Sequence, residues 1–142
     1  MTVFQYTAPV AEELNRLLLS DVGKNEPIVP LVELDDAAFA FPKVDILETK
    51  DHFVLRAELP GFNKKDLDVT LEKGILTIKA ERKPEKGQKF HYRERPMGTF
   101  VRRFQLSRKI QKEGMRAVYR DGVLSIYLPK EKEPEAKEIK IR

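Results

Sequence analysis

Residues 53–80 read FVLRAELPGFNKKDLDVTLEKGILTIKA, with apolar side chains recurring at every second position. Phe53, Leu55, Ala57 and Leu59 alternate with Val54, Arg56 and Glu58 until Pro60-Gly61 ends the run. Leu67, Val69 and Leu71 alternate with Asp68 and Thr70, Lys73-Gly74 turns the chain, and Ile75, Leu76 and Ile78 lead on to Ala80. Successive side chains of an extended chain point to opposite faces, so a period of two marks strands with one buried face. Upstream, Val44 and Ile46 flank Asp45 in the same rhythm. Downstream, Phe100, Phe104 and Leu106 share a face with Arg102, Ala117 and Tyr119 precede Asp121-Gly122, and Leu124, Ile126 and Leu128 run to Pro129. Phe90 and Tyr92 predict a further short strand beyond the charged loop at 82–88. Seven or eight short strands, separated by turn residues and free of helical periodicity, predict an all-β sandwich.

The flanks differ from this middle. Residues 1–41 read as an apolar arm, residues 42–130 as the β-domain and residues 131–142 as a flexible tail. Val10, Leu14, Leu17 and Leu18 fall on one face of a helix of about three turns, too short to be stable alone in water. With Phe4, Tyr6, Phe39 and Phe41, the arm is too apolar for an ordinary disordered tail and too short to bury itself. The chain ends KEKEPEAKEIKIR, where Ile139 and Ile141 are the large apolar residues. Two positions apart, they point the same way in an extended chain. A solvated, frayed tail would carry these residues too; a β-like peptide that plugs a hydrophobic groove is the sharper reading.

A length of 142 residues suits one domain with extensions. No run approaches the ~18 consecutive apolar residues of a membrane span, and the start, MTVFQYTAPVAEEL, lacks the pattern of a secretory leader. Without cysteine there are no disulfides, thiolate nucleophiles or Cys-built zinc sites, and a cytoplasmic setting is expected. His52 and His91 have no ligand-like spacing, and the seven glycines stand singly, unlike a phosphate-cradling loop. Asp35-Asp36 and Glu12-Glu13 lie in the arm, with no scaffold to hold them for acid–base work. No catalytic residue, metal or cofactor is expected. Charge is uneven: residues 1–50 carry four basic and nine acidic side chains, residues 79–120 fourteen and four, within a total of +4. The two regions could attract each other. Cations interleaved with Phe90, Tyr92, Phe100 and Phe104 could also serve single-stranded nucleic acid, although Glu81, Glu85 and Glu94 among them fit solvated strands and loop equally well.

Together these residues form a familiar string. Pro42-x-Val44-Asp45-Ile46 is followed by Leu59-Pro60-Gly61-Phe62 and Gly74-x-Leu76-x-Ile78-x-Ala80. Then come Glu94-Arg95, Gly98-x-Phe100-x-Arg102-x-Phe104-x-Leu106, Ala117-x-x-x-x-Gly122-Val123-Leu124, and Ile139-Lys140-Ile141. Residues 42–142 closely resemble the small heat-shock proteins, the Hsp20 or α-crystallin family, in their bacterial and plant form. The arm matches only in kind.

That resemblance implies an immunoglobulin-like sandwich (the α-crystallin domain), ATP-independent holdase activity towards partly unfolded client proteins under stress, and a large homo-oligomer built from dimers. It implies that a strand at Phe90, His91, Tyr92, Arg93 and Glu94 crosses to a partner and pairs with the partner's copy of Val44, Asp45, Ile46 and Leu47. It implies that Ile139 and Ile141 dock in a neighbour's groove formed by Leu67, Val69, Leu71, Ala117 and Tyr119. Arg102, a cation among inward-facing aromatics, would meet Glu94 or another carboxylate at the interface. Phe4, Tyr6, Leu14, Leu17, Leu18, Phe39 and Phe41 would capture clients. No nucleic-acid partner and no membrane span are expected. Besides nucleic-acid binding, an oligomerisation module without client activity is the rival reading.

Overall fold

The computed structural model describes residues 26–31, 41–133 and 135–142. Eight strands are formed there: β1 (Ile28–Pro30), β2 (Val44–Glu48), β3 (His52–Glu58), β4 (Leu67–Glu72), β5 (Ile75–Arg82), β6 (Gly98–Leu106), β7 (Arg116–Arg120) and β8 (Val123–Pro129). They form two antiparallel four-stranded sheets, ordered β1-β6-β5-β4 and β2-β3-β8-β7. The all-β fold expected from the period-two pattern is the one found.

The alternation decides which faces meet. Leu55, Ala57 and Leu59 from one sheet, and Leu76, Ile78, Ala80 and Phe104 from the other, are almost wholly buried, and Leu124, Ile126 and Leu128 join them. Two hairpins are as tight as their turn residues allow. Lys73-Gly74 links β4 to β5 and Asp121-Gly122 links β7 to β8, with φ positive at all four positions. Two consecutive positive φ values give the two-residue turn whose twist suits flanking strands. A Cβ on Gly122 would lie 3.2 Å from the Pro60 Cα, and the Gly122 carbonyl accepts a 2.7 Å bond from the Leu59 N–H. Gly122 therefore also locks the end of β3.

The sandwich extends further towards the N-terminus than the period-two pattern indicates. β1 pairs with β6, and Ile28 and Val29 are buried, although the sequence assigns them to the arm. Phe41, assigned to client capture, is half-buried, its ring 4.7 Å from that of Phe100 and 6.2 Å from that of Phe62. Burying an aromatic ring removes a large apolar area from water, so Phe41 serves the sandwich. Phe4, Tyr6, Leu14, Leu17, Leu18 and Phe39, and the helix read at residues 9–19, lie outside the described residues.

Phe104, fully buried at the centre of β6, gives the first expected outcome. Phe104→Ala should cost about 3–5 kcal/mol of folding stability, measured by chemical denaturation under conditions that hold the protein in one assembly state.

Candidate functional site

A sandwich of two open sheets has edge strands, each with a row of unpaired backbone groups. Here β1 and β4 end one sheet, while β2 and β7 end the other. Leu67, Val69 and Leu71 on β4, together with Met115 and Tyr119, pack on the core but stay half-buried, for want of a further layer over them. The Tyr119 hydroxyl lies 2.6 Å from the Leu59 carbonyl and 3.0 Å from that of Phe62, to which it donates. This fixes the ring at the end of β7. Ala117 and Val118 are exposed. The predicted groove residues thus sit on the terminal strands of the two sheets, and Val118 adds an exposed apolar side chain that the sequence pattern did not single out.

Residues 90–94 form no strand within this chain. Among the described residues no strand pairs with this segment, and an extended segment without a ladder is not a strand. They lie in an exposed connection, residues 83–97, at the upper end of ordinary loop lengths. Phe90 is 45% exposed and Tyr92 80%. Local contacts order the tip: the Arg93 guanidinium lies over the Phe90 ring at 5.1 Å, and the Tyr92 hydroxyl donates to Glu94 at 2.8 Å. His91 is exposed. On β2, Asp45, Ile46 and Leu47 are exposed and Val44 is half-buried, and the strand pairs on one side only, with β3.

Arg102 is half-buried. Its Nη1 donates to the Pro42 carbonyl at 3.0 Å, and its guanidinium lies 5.3 Å from the centre of the Phe104 ring. A backbone carbonyl at the start of the domain thus accepts from Arg102, and Glu94, one of the carboxylates expected for it, accepts from Tyr92 within this chain.

Sequence reasoning missed Arg82, which reads there as the first member of a charged run. Its guanidinium stacks 4.4 Å from the Phe62 ring centre and donates to the carbonyls of Pro60 (2.9 Å) and Pro96 (3.1 Å). Burial, and secondarily the charge of Arg95, lowers its pKa. Arg82, Phe62 and Arg95 border a cavity of about 620 Å³ between Gly61-Phe62 and the loop that carries Phe90. The signal was available in parity: Arg82 follows Leu76, Ile78 and Ala80 on the inward side of β5.

The tail leaves β8 along a short anchor. Ile110 and Lys130 form an isolated antiparallel bridge, and the Glu131 N–H donates to the Lys109 carbonyl at 2.8 Å. Beyond it, Ile139 is 86% exposed and Ile141 98%. The exposed large apolar side chains among the described residues are Ile46, Leu47, Phe90, Tyr92, Val118, Ile139 and Ile141. Every one lies on an edge strand, on the loop or on the tail. Among the described residues, no three or more His, Cys, Asp or Glu converge as a metal site, and no helix is long and apolar enough to cross a membrane.

Comparison with known proteins agrees with this arrangement. Residues 45–142 match the model of the Hsp20/alpha crystallin family. The chain belongs to that family. It is therefore a small heat-shock protein, from a family of ATP-independent chaperones rather than enzymes. This small heat-shock protein is 44% identical over 114 residues to the 17.6 kDa class I heat shock protein 3 of Arabidopsis thaliana, covering 76% of this chain and 73% of the relative. It is 36% identical over 104 residues to small heat shock protein C2 of Rickettsia felis, covering 71% and 68%. Among solved structures, a small heat-shock protein from Xylella fastidiosa, described as having a distinct high order structure, superposes with a TM-score of 0.64 at 41% identity. That match covers 71% of this chain and 95% of the other.

Proposed function

We propose that this small heat-shock protein is a holdase: it binds partly unfolded proteins in the cytoplasm during heat or other stress and keeps them from aggregating, without ATP. It works as a large homo-oligomer of dimers. The observation that carries this reading is the placement of the exposed large apolar side chains among the described residues, all on edge strands, on the 83–97 loop or on the tail. Strand exchange through residues 90–94 onto the partner's β2 would cover one edge, and the Ile139/Ile141 tail laid between β4 and β7 would cover another, both by strand addition. The high order structure described for the Xylella fastidiosa relative supports an assembly of this kind.

Energetics favour reversible contacts. Burying two isoleucine side chains contributes roughly 3–6 kcal/mol, while ordering each tail residue costs about 1–2 kcal/mol of backbone entropy. The net for one tail is small, so the assembly rests on many weak links that can open. Unfolded clients then compete for apolar surface by mass action, which needs no nucleotide. Phe4, Tyr6, Leu14, Leu17, Leu18 and Phe39 would supply most of the client surface, because an arm without a core of its own can adapt to varied chains.

The test is suppression of a client's heat-induced light scattering in the absence of ATP. Protection should persist from about 50 to 200 mM salt, whereas binding through phosphate contacts would fall steeply over that range. An assembly that leaves scattering unchanged would be an oligomerisation module only. A Phe4→Ser, Tyr6→Ser, Phe39→Ser variant should keep its assembly mass and lose most of its protection in the same assay. Full protection by that variant would assign clients to the groove between β4 and β7. Phe41 is left intact because it packs on Phe100.

A further inference from the structure

Arg82 joins three segments of chain that are distant in sequence. It ends β5, its Nη2 donates to Pro60 in the turn after β3, and its Nη1 donates to Pro96 just before β6. Arg82 also lies opposite Gly98 in the β5–β6 register, so both roots of the 83–97 loop meet at this residue. The turn lies close under two guanidinium groups, most tightly that of Arg95. Gly61 has φ +77°, and a Cβ there would lie 3.3 Å from an Arg95 Nη2 and 3.8 Å from the Arg82 Nη2. A planar guanidinium can stack on Phe62 and still send two donors to two carbonyls; an ammonium can do neither with the same geometry.

We infer that Arg82 is a positioning residue for subunit pairing: by clamping the base of the 83–97 loop to the Pro60 turn, it sets the direction in which Phe90 and Tyr92 project towards a second copy. The inference rests on the proposed crossing of this loop. The loop has no strand pairing of its own. Small rotations at its base are therefore large displacements at its tip, and an unclamped base leaves more backbone freedom to be lost when the tip pairs. The clamp is compatible with crossing, since its hydrogen bonds lie at the two roots of the loop, at Arg82 and Pro96, and hold none of residues 88–95.

The test compares full-length Arg82→Gln, Arg82→Lys and Lys83→Gln. Lys83 is exposed and adjacent, so its variant removes one charge from the same place without touching the clamp. Dimer dissociation constants come from sedimentation across a dilution series, and amide hydrogen exchange at residues 97–99 reports on the loop base. Losing both hydrogen bonds and the stacking should weaken pairing at least about tenfold and speed exchange at 97–99 in both Arg82 variants. Lys83→Gln should match the wild type. Wild-type pairing by Arg82→Gln, or full rescue by Arg82→Lys, would overturn the clamp. If Arg82→Gln fails to fold, Arg82→Lys alone decides. A wild-type chain that is monomeric at every concentration would instead overturn the crossing, and with it the pairing role of Arg82, and the exchange data would still show whether the base is clamped.

Discussion

An Ile139→Ala, Ile141→Ala variant should run as dimers or small species in size-exclusion chromatography where the wild type runs as a large assembly. Both side chains stand almost fully in solvent in the single chain, on a segment otherwise made of charged residues. The surface proposed to receive them includes Leu67, Val69, Leu71 and Tyr119, half-buried on the terminal strands. Truncation to alanine removes most of the roughly 3–6 kcal/mol of apolar burial per tail, which is more than a marginal contact can lose. The loop and β2 are untouched, so dimers should survive. An unchanged large assembly would show that the tail does not bridge subunits.

Replacing residues 88–95 with a short Gly/Ser linker should abolish dimers as well. This removes Phe90 and Tyr92, the aromatic side chains of the proposed crossing strand, and leaves every core residue in place. It also leaves Arg82 and Pro96, so the loop base keeps its clamp. The expected product is a folded monomer with an unaltered far-ultraviolet β signature and the sedimentation coefficient of one chain. Intact dimers in the ultracentrifuge would rule out strand exchange through this loop and direct attention to other edges.

The sandwich was legible because its signals are local. Alternation between Phe53 and Leu59, or between Leu76 and Ala80, is visible in a few residues, and Asp121-Gly122 names its own turn type. β1 was not legible: three residues between Pro27 and Leu31 show no period, and their burial comes from pairing with β6, some seventy-five residues away. Phe41 misled for a related reason, since its contacts with Phe62 and Phe100 are long-range. The site was partly legible. Ile139 and Ile141 stand out as apolar residues in a charged tail, whereas Arg82 is hidden among Lys83, Lys86 and Lys89, and only the inward parity of β5 distinguishes it.

The anchor at Ile110 and Lys130 makes the tail a leash of fixed length. From Glu131 to Ile139 an extended chain reaches at most about 28 Å, so a receiving groove must lie within that radius of the donor's anchor. If the tail docks as proposed, the link is either exchanged reciprocally by two copies or passes from subunit to subunit until the path returns to its start or runs on as a filament, and the reach of the tail decides between them. Leash length therefore acts as a ruler for curvature. Lengthening residues 132–138 would change how many subunits close the path while leaving the strength of each link nearly the same.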